Sequence, residues 1–102
     1  MSLPIVFHRL FQHDLAAGFD WYQDQRPGLG DEFLRSVRDT LRIVELSPEM
    51  FVSVHGDVRR ANISRFPFGV FYLVEPRRVV ILRLLHTARD PNLWPRYSRK
   101  PR

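Results

Sequence analysis

His86 closes an apolar run, Val79 to Leu85, and Arg89 follows it by three residues. An imidazole so placed could take a proton from a ribose 2′-hydroxyl while a guanidinium steadied the charge of the resulting phosphorane. Arg60 is the third residue such a set would draw on. No Lys lies between residues 51 and 99, and Arg stays charged at any working pH, so proton transfer would rest almost wholly on His86. The competing reading makes His86 a strand cap, hydrogen-bonded to the turn Arg89-Asp90-Pro91, and we favour that structural role. No residue is therefore assigned a catalytic role outright; His86, Arg60 and Arg89 are the alternative set.

The arginines carry a second kind of chemistry. Arg59, Arg60 and Arg65 flank one short segment, and a guanidinium fork pairs with carboxylate or phosphate through two hydrogen bonds. Alternation from Val58 to Phe66 places Arg60, Asn62 and Ser64 together on a polar face, where contact with a partner is the favoured reading. Arg59 or Arg65 suits an internal ion pair, to Asp90 or to a helix carboxylate. Arg83 interrupts an aliphatic stretch and by alternation shares a face with Val79, Ile81 and Leu85. A charge there must either reach an open, partner-binding face or meet an acid on a helix beneath it, and the sequence leaves both open. Arg96, in a basic tail at about 92–102, completes the candidate partner-binding residues. His8 and His13 have no third ligand in view, so no metal site is expected. Gly28-Leu29-Gly30 reads as a turn, and the aromatic run Phe66, Phe68, Phe71 and Tyr72 as core before it reads as a stacking surface for bases.

Composition narrows the setting for this chemistry. The chain has 102 residues and a formal charge of +5, a length that suits one domain spanning 1–102. The charge is lopsided: residues 1–50 carry a net −3 and residues 51–102 a net +8. An excess on one half calls for a phosphate-rich or acidic partner, or for a solubility role. There is no Cys, which excludes a disulfide scaffold and any Cys-based zinc site or nucleophile. No apolar run approaches a membrane span, and no secretion signal is visible, so the expected location is the cytoplasm.

The elements follow from periodicity. Pro4 to His8 reads as a strand, and Phe11, Leu15, Phe19 and Tyr22 form one helical stripe. Arg26 to Gly30 turns the chain into a second helix, from about Asp31 to Leu46, whose inner face is Phe33, Val37, Thr40, Leu41 and Val44. Ser47-Pro48 stops it. Strands are expected over Val58–Phe66, Pro67–Val74 and Val79–Leu85, the last two apolar on both faces and therefore central. The fold class expected is α+β, in the order β-α-α-β-β-β, with a helix hairpin packed on one face of a small antiparallel sheet.

Together these segments resemble the RelE/ParE toxins of bacterial type II toxin–antitoxin systems. The resemblance rests on Asp14-Leu15, Trp21-Tyr22, Pro27-Gly28-Leu29-Gly30, Phe33-Leu34, Val58-Arg59-Arg60, Arg65-Phe66-Pro67-Phe68, Tyr72, His86, Arg89-Asp90-Pro91 and Trp94, in that order over roughly residues 4–96. It is closest to the ParE-like branch, often labelled plasmid stabilisation proteins. The resemblance implies a toxin that inhibits growth by poisoning DNA gyrase and is neutralised by a cognate acidic antitoxin, with no cofactor. The alternatives it leaves are a RelE-like ribosome-dependent mRNA endonuclease and a degenerate toxin that only binds antitoxin. A homodimer is also left open.

Overall fold

The computed structural model describes residues 3–88 and 91–95. The chain runs β1 (Ile5–Phe7), α1 (Arg9–Gln25), α2 (Leu29–Leu46), β2 (Ser53–His55), β3 (Val58–Asn62), β4 (Phe68–Val74) and β5 (Val79–His86), then a 3-10 turn at Pro91–Leu93. Among these residues no helix is long and apolar enough to cross a membrane.

Local chemistry sets the helix ends. His8 stays extended and its Nδ1 accepts the Leu10 N–H at 3.0 Å, satisfying one of the free donors that open α1. The turn into α2 is held by Gln23, whose Oε1 accepts the N–H groups of Gly28 and Gly30 at 3.2 and 3.1 Å. Asp31 and Glu32 then sit in the first turn of α2, where the helix dipole favours negative charge. The helix stops at Ser47, whose N–H donates to the Ile43 carbonyl.

The hairpin packs as the periodicity requires. Phe33, Val37, Thr40 and Val44 are buried, with Leu34 and Leu41 on the margin. Gly18 lets the helices close: a Cβ there would come within 2.6 Å of the Phe33 ring. Tyr22 and Phe33 meet Phe66 and Phe68 in tilted and edge-on contacts, at centroid separations of 4.8 to 6.1 Å.

The sheet has five strands in the order β1-β5-β4-β3-β2, with β4 and β5 inside as their two-sided apolarity required. Two features depart from the expected three-strand run and uniform antiparallel pairing. β2 is an additional strand, too short and too exposed to give a period-2 signal. β1 lies parallel to β5, because no hairpin joins them and nothing forces the opposite direction. The strand expected to Phe66 ends at Asn62, where the chain enters the turn to β4.

β5 also carries a bulge. Tyr72 pairs with Ile81 and Phe71 with Arg83, so Leu82 is the extra residue. The bulge shifts alternation by one. Val79, Ile81 and Leu84 face the helices, whereas Leu85 joins Val58, Phe71 and Leu73 in a smaller apolar cluster on the opposite, open face. The face expected to combine Val79, Ile81, Arg83 and Leu85 is therefore not formed.

Two measurements check this core. Phe33→Ala should lower stability by about 3–5 kcal/mol, since the ring is fully buried against the rings of Tyr22, Phe66 and Phe68, whereas a surface control should move the denaturant midpoint little. The Tyr72 hydroxyl donates to the Pro48 carbonyl at 2.7 Å, and burial pushes its pKa from 10.0 up to about 12 despite the opposing field of Arg59. The unfolded chain then loses this proton first, so the contribution is full below pH 10 and fades as pH climbs towards 12. A stability–pH profile of Tyr72→Phe should be flatter in that window, the remaining slope including Tyr22, whose pKa burial also raises.

Candidate functional site

The open face presents one arginine in a prepared geometry. Along β3, Val58, Arg60 and Asn62 point to that face, and Arg60 pairs with Phe71 while Asn62 pairs with Gly69. Gly69 has no side chain to stand between them: a Cβ there would lie 2.9 Å from Arg60 Cγ and 3.2 Å from Asn62 Oδ1. The Arg60 stem therefore lies across β4, and its guanidinium sits over the Trp94 ring, 4.9 Å from the centroid. Trp94 is held in turn by Phe71 at 5.2 Å and His55 at 5.5 Å. Among the described residues the Arg60 guanidinium makes no hydrogen bond or ion pair, so its donor fork is aimed but unspent. His55 Nδ1 and Trp94 Nε1 are buried beside it, with no hydrogen-bond partner among the described residues. Trp94 entered the sequence reading only as part of a resemblance; its role in orienting Arg60 had no local signal.

The other candidates lie elsewhere. Ser64 sits in the β3–β4 turn, beyond the strand, and its carbonyl accepts the Ser36 hydroxyl of α2 at 2.5 Å. It does not share the face of Arg60 and Asn62, because alternation ends with the strand at Asn62. Arg59 points to the helix side, where its Nη1 donates to the carbonyls of Phe51 and Glu49 at 2.6 and 3.2 Å. Arg65 takes a positive φ of 74° and pairs with the helix carboxylate of Glu32 at 2.7 Å. That hydrogen bond holds the Glu32 carboxyl below the usual carboxylate range, with Arg26 and Arg35 adding to the effect.

Arg83 takes the second of its two readings, an acid on the helix beneath. Its Nε and Nη2 donate to the two carboxylate oxygens of Asp14 at 2.7 and 3.0 Å, and this fork raises the Arg83 pKa further. The same Asp14 Oδ2 accepts the Leu84 N–H at 3.0 Å. Arg83 is thereby occupied inside the molecule.

His86 lies on the helix side of the sheet, opposite Phe68 in register and 5.3 Å from its ring. Its Nδ1 accepts the Ala88 N–H at 3.1 Å, two residues on, a local cap just short of the turn expected to receive it. A cleft of about 170 Å³ beside it is lined by Asp14, Gly18, Trp21 and Phe68. Arg60 stands on the other face, so His86 and Arg60 do not share a site. Arg89 and Arg96 fall outside the described residues.

A two-helix hairpin on one face of this mixed sheet, with an open face opposite, finds its match among known proteins. The family model described as the ParE toxin of the type II toxin–antitoxin system, parDE, matches residues 5–91. This chain belongs to the ParE toxin family. Two solved structures are similar in fold. One is the chromosomal ParDE toxin–antitoxin system from P. aeruginosa, at 18% identity and a TM-score of 0.71, covering 83% of this chain and 96% of that one. The other is the archaeal RelE–RelB complex from Pyrococcus horikoshii OT3, at 19% identity and a TM-score of 0.58, covering 88% and 100%. No curated protein sequence matches the chain.

The toxin's internal ion pair gives a testable contrast. Asp14→Ala should lower stability by about 2–3 kcal/mol, because it strands a partly buried guanidinium and an edge N–H together. Glu32→Ala removes a solvent-exposed pair and should shift stability much less. Urea midpoints of the two variants, compared side by side, check the order.

Proposed function

We propose that this ParE-family toxin arrests growth by binding its target, DNA gyrase, and not by cutting RNA, and that a cognate acidic antitoxin neutralises it. The observation that carries the non-catalytic reading is the separation of His86 from Arg60 by the sheet itself. General acid–base cleavage needs a proton acceptor and a charge-stabilising group on the same side of the scissile phosphate. Nδ1 of His86 accepts from Ala88, the neighbouring Asp14 carboxylate is paired with Arg83, and no Lys lies between residues 51 and 99, so among the described residues His86 has no free proton-transfer partner.

The partner reading is supported by charge and by the similar structures, one a toxin–antitoxin system and the other a RelE–RelB complex. The half that forms β2 to β5 carries a net +8, and Arg60 with Asn62 offers donors on the open face. A carboxylate meeting the Arg60 fork would form a charge-assisted pair. Arg60→Glu should weaken the antitoxin complex by roughly 1–3 kcal/mol. Arg83→Glu should act on stability instead, because its partner is Asp14.

The deciding measurement is an induction time course that follows plasmid supercoiling, double-strand breaks and transcript ends together. Gyrase poisoning predicts breaks and loss of supercoiling ahead of any mRNA loss, with toxicity retained in His86→Ala. Codon-positioned mRNA cuts that appear first, and vanish in His86→Ala, would establish the ribonuclease instead.

A further inference from the structure

The cleft beside His86, on the helix side of the sheet, lies apart from Arg60 and has its own chemistry. Asp14, Ala17, Gly18 and Trp21 of α1 form one wall, and Phe68 of β4 with His86 of β5 forms the other. Ala17 and Gly18 add almost no side-chain bulk between Asp14 and Trp21, so a space of about 170 Å³ stays open there. Trp21 is 61% exposed, which leaves most of its indole without a protein neighbour.

Two polar groups of the cleft keep unspent capacity. His86 Nδ1 accepts the Ala88 N–H, so the proton of the neutral ring resides on Nε2 and makes that atom a donor. Nε2 has no hydrogen-bond partner among the described residues. Asp14 Oδ2 accepts from both Arg83 and Leu84, whereas Oδ1 accepts one bond from Arg83 and keeps a second lone pair. The Asp14 side chain remains 15% exposed, and Arg83 cancels its charge, so the cleft favours neither a cation nor an anion.

We infer that this cleft binds an adenine base, from a free nucleotide or from an unpaired nucleic-acid strand. Adenine carries an acceptor, N7, beside a donor, the N6 amino group, on one edge, where guanine presents two acceptors. The N6 amino group donates to Asp14 Oδ1, and N7 accepts from His86 Nε2. The Trp21 and Phe68 rings supply the stacking walls. An amide side chain would match both hydrogen bonds but offer little to stack, and a phenyl ring would stack but match neither. The space is well below the roughly 300–1,000 Å³ of pockets that hold drug-sized ligands, which suits one bicyclic ring with its ribose left outside. The assignment does not depend on how the toxin arrests growth.

The test titrates adenosine, with uridine as control, into the full-length toxin and follows the Trp21 indole N–H and the His86 ring protons by NMR. Adenosine should bind with a Kd of about 0.1–1 mM, and uridine about 10-fold more weakly or worse. Trp21→Ala should weaken adenosine binding about 10-fold through lost stacking. His86→Phe keeps a ring but removes the donor, and should weaken it about 10-fold as well. Ala17→Leu should abolish binding by filling the cleft. Position 17 is exposed and Leu is a good helix former, so the unfolding midpoint of that variant should match the parent and separate lost binding from lost folding. Short oligoadenylate then distinguishes the sources: binding tighter than adenosine, and lost in Ala17→Leu, supports the site with a nucleic-acid base. Equal binding supports it with a free nucleotide. Uridine binding as tightly as adenosine, binding that survives Ala17→Leu, or binding lost in Arg60→Glu overturns the assignment. So does the absence of any shift up to about 10 mM adenosine.

Discussion

The carboxylate of Asp14 stands where the sheet would otherwise come apart. β1 pairs with β5 only as far as Ile81, because the chain leaves the strand at His8 to begin α1. Beyond that point β5 has no strand on its outer side, yet it continues to His86. Asp14, on the second turn of α1, accepts the Leu84 N–H in place of a missing strand and holds Arg83 in a two-point pair. One side chain thus satisfies an edge donor, neutralises a charge in a central strand and ties α1 across β5. Removing water from a guanidinium is costly, and only a partner with this geometry offsets the cost.

That clamp acts together with the bulge at Leu82. The extra residue sets Arg83 opposite Phe71, from where its guanidinium reaches Asp14 of α1 past the edge of β5, and it reassigns every side chain that follows. Leu84 enters the core under the helices, Leu85 joins the open-face cluster, and His86 falls opposite Phe68 on the helix side. The placement of His86 is therefore a consequence of the register shift in β5. The same step puts it across the sheet from Arg60.

The open face is organised by two contacts of Arg60. On the open face, the bare backbone of Gly69 and the Trp94 ring hold a guanidinium in place while leaving its donors free, which reduces the entropy lost when an anion arrives.

The sequence by itself determined both helices, every strand but β2, and the inner face of each helix, because a 3.6-residue stripe from Phe33 to Val44 has no alternative place to go. It also determined that β4 and β5 are central, since strands apolar on both faces belong inside a sheet with a neighbour on either side. It showed that Arg83 needed either an opening or an acid. It did not choose, because Asp14 lies far away in sequence and shares no periodicity with it. The parallel placement of β1, the short β2, the bulge at Leu82, and the stacking of Arg60 on Trp94 were decided only in the tertiary structure. Each depends on contacts between segments distant along the chain, whose register follows from packing and charge pairing and leaves no mark in the local pattern of residues.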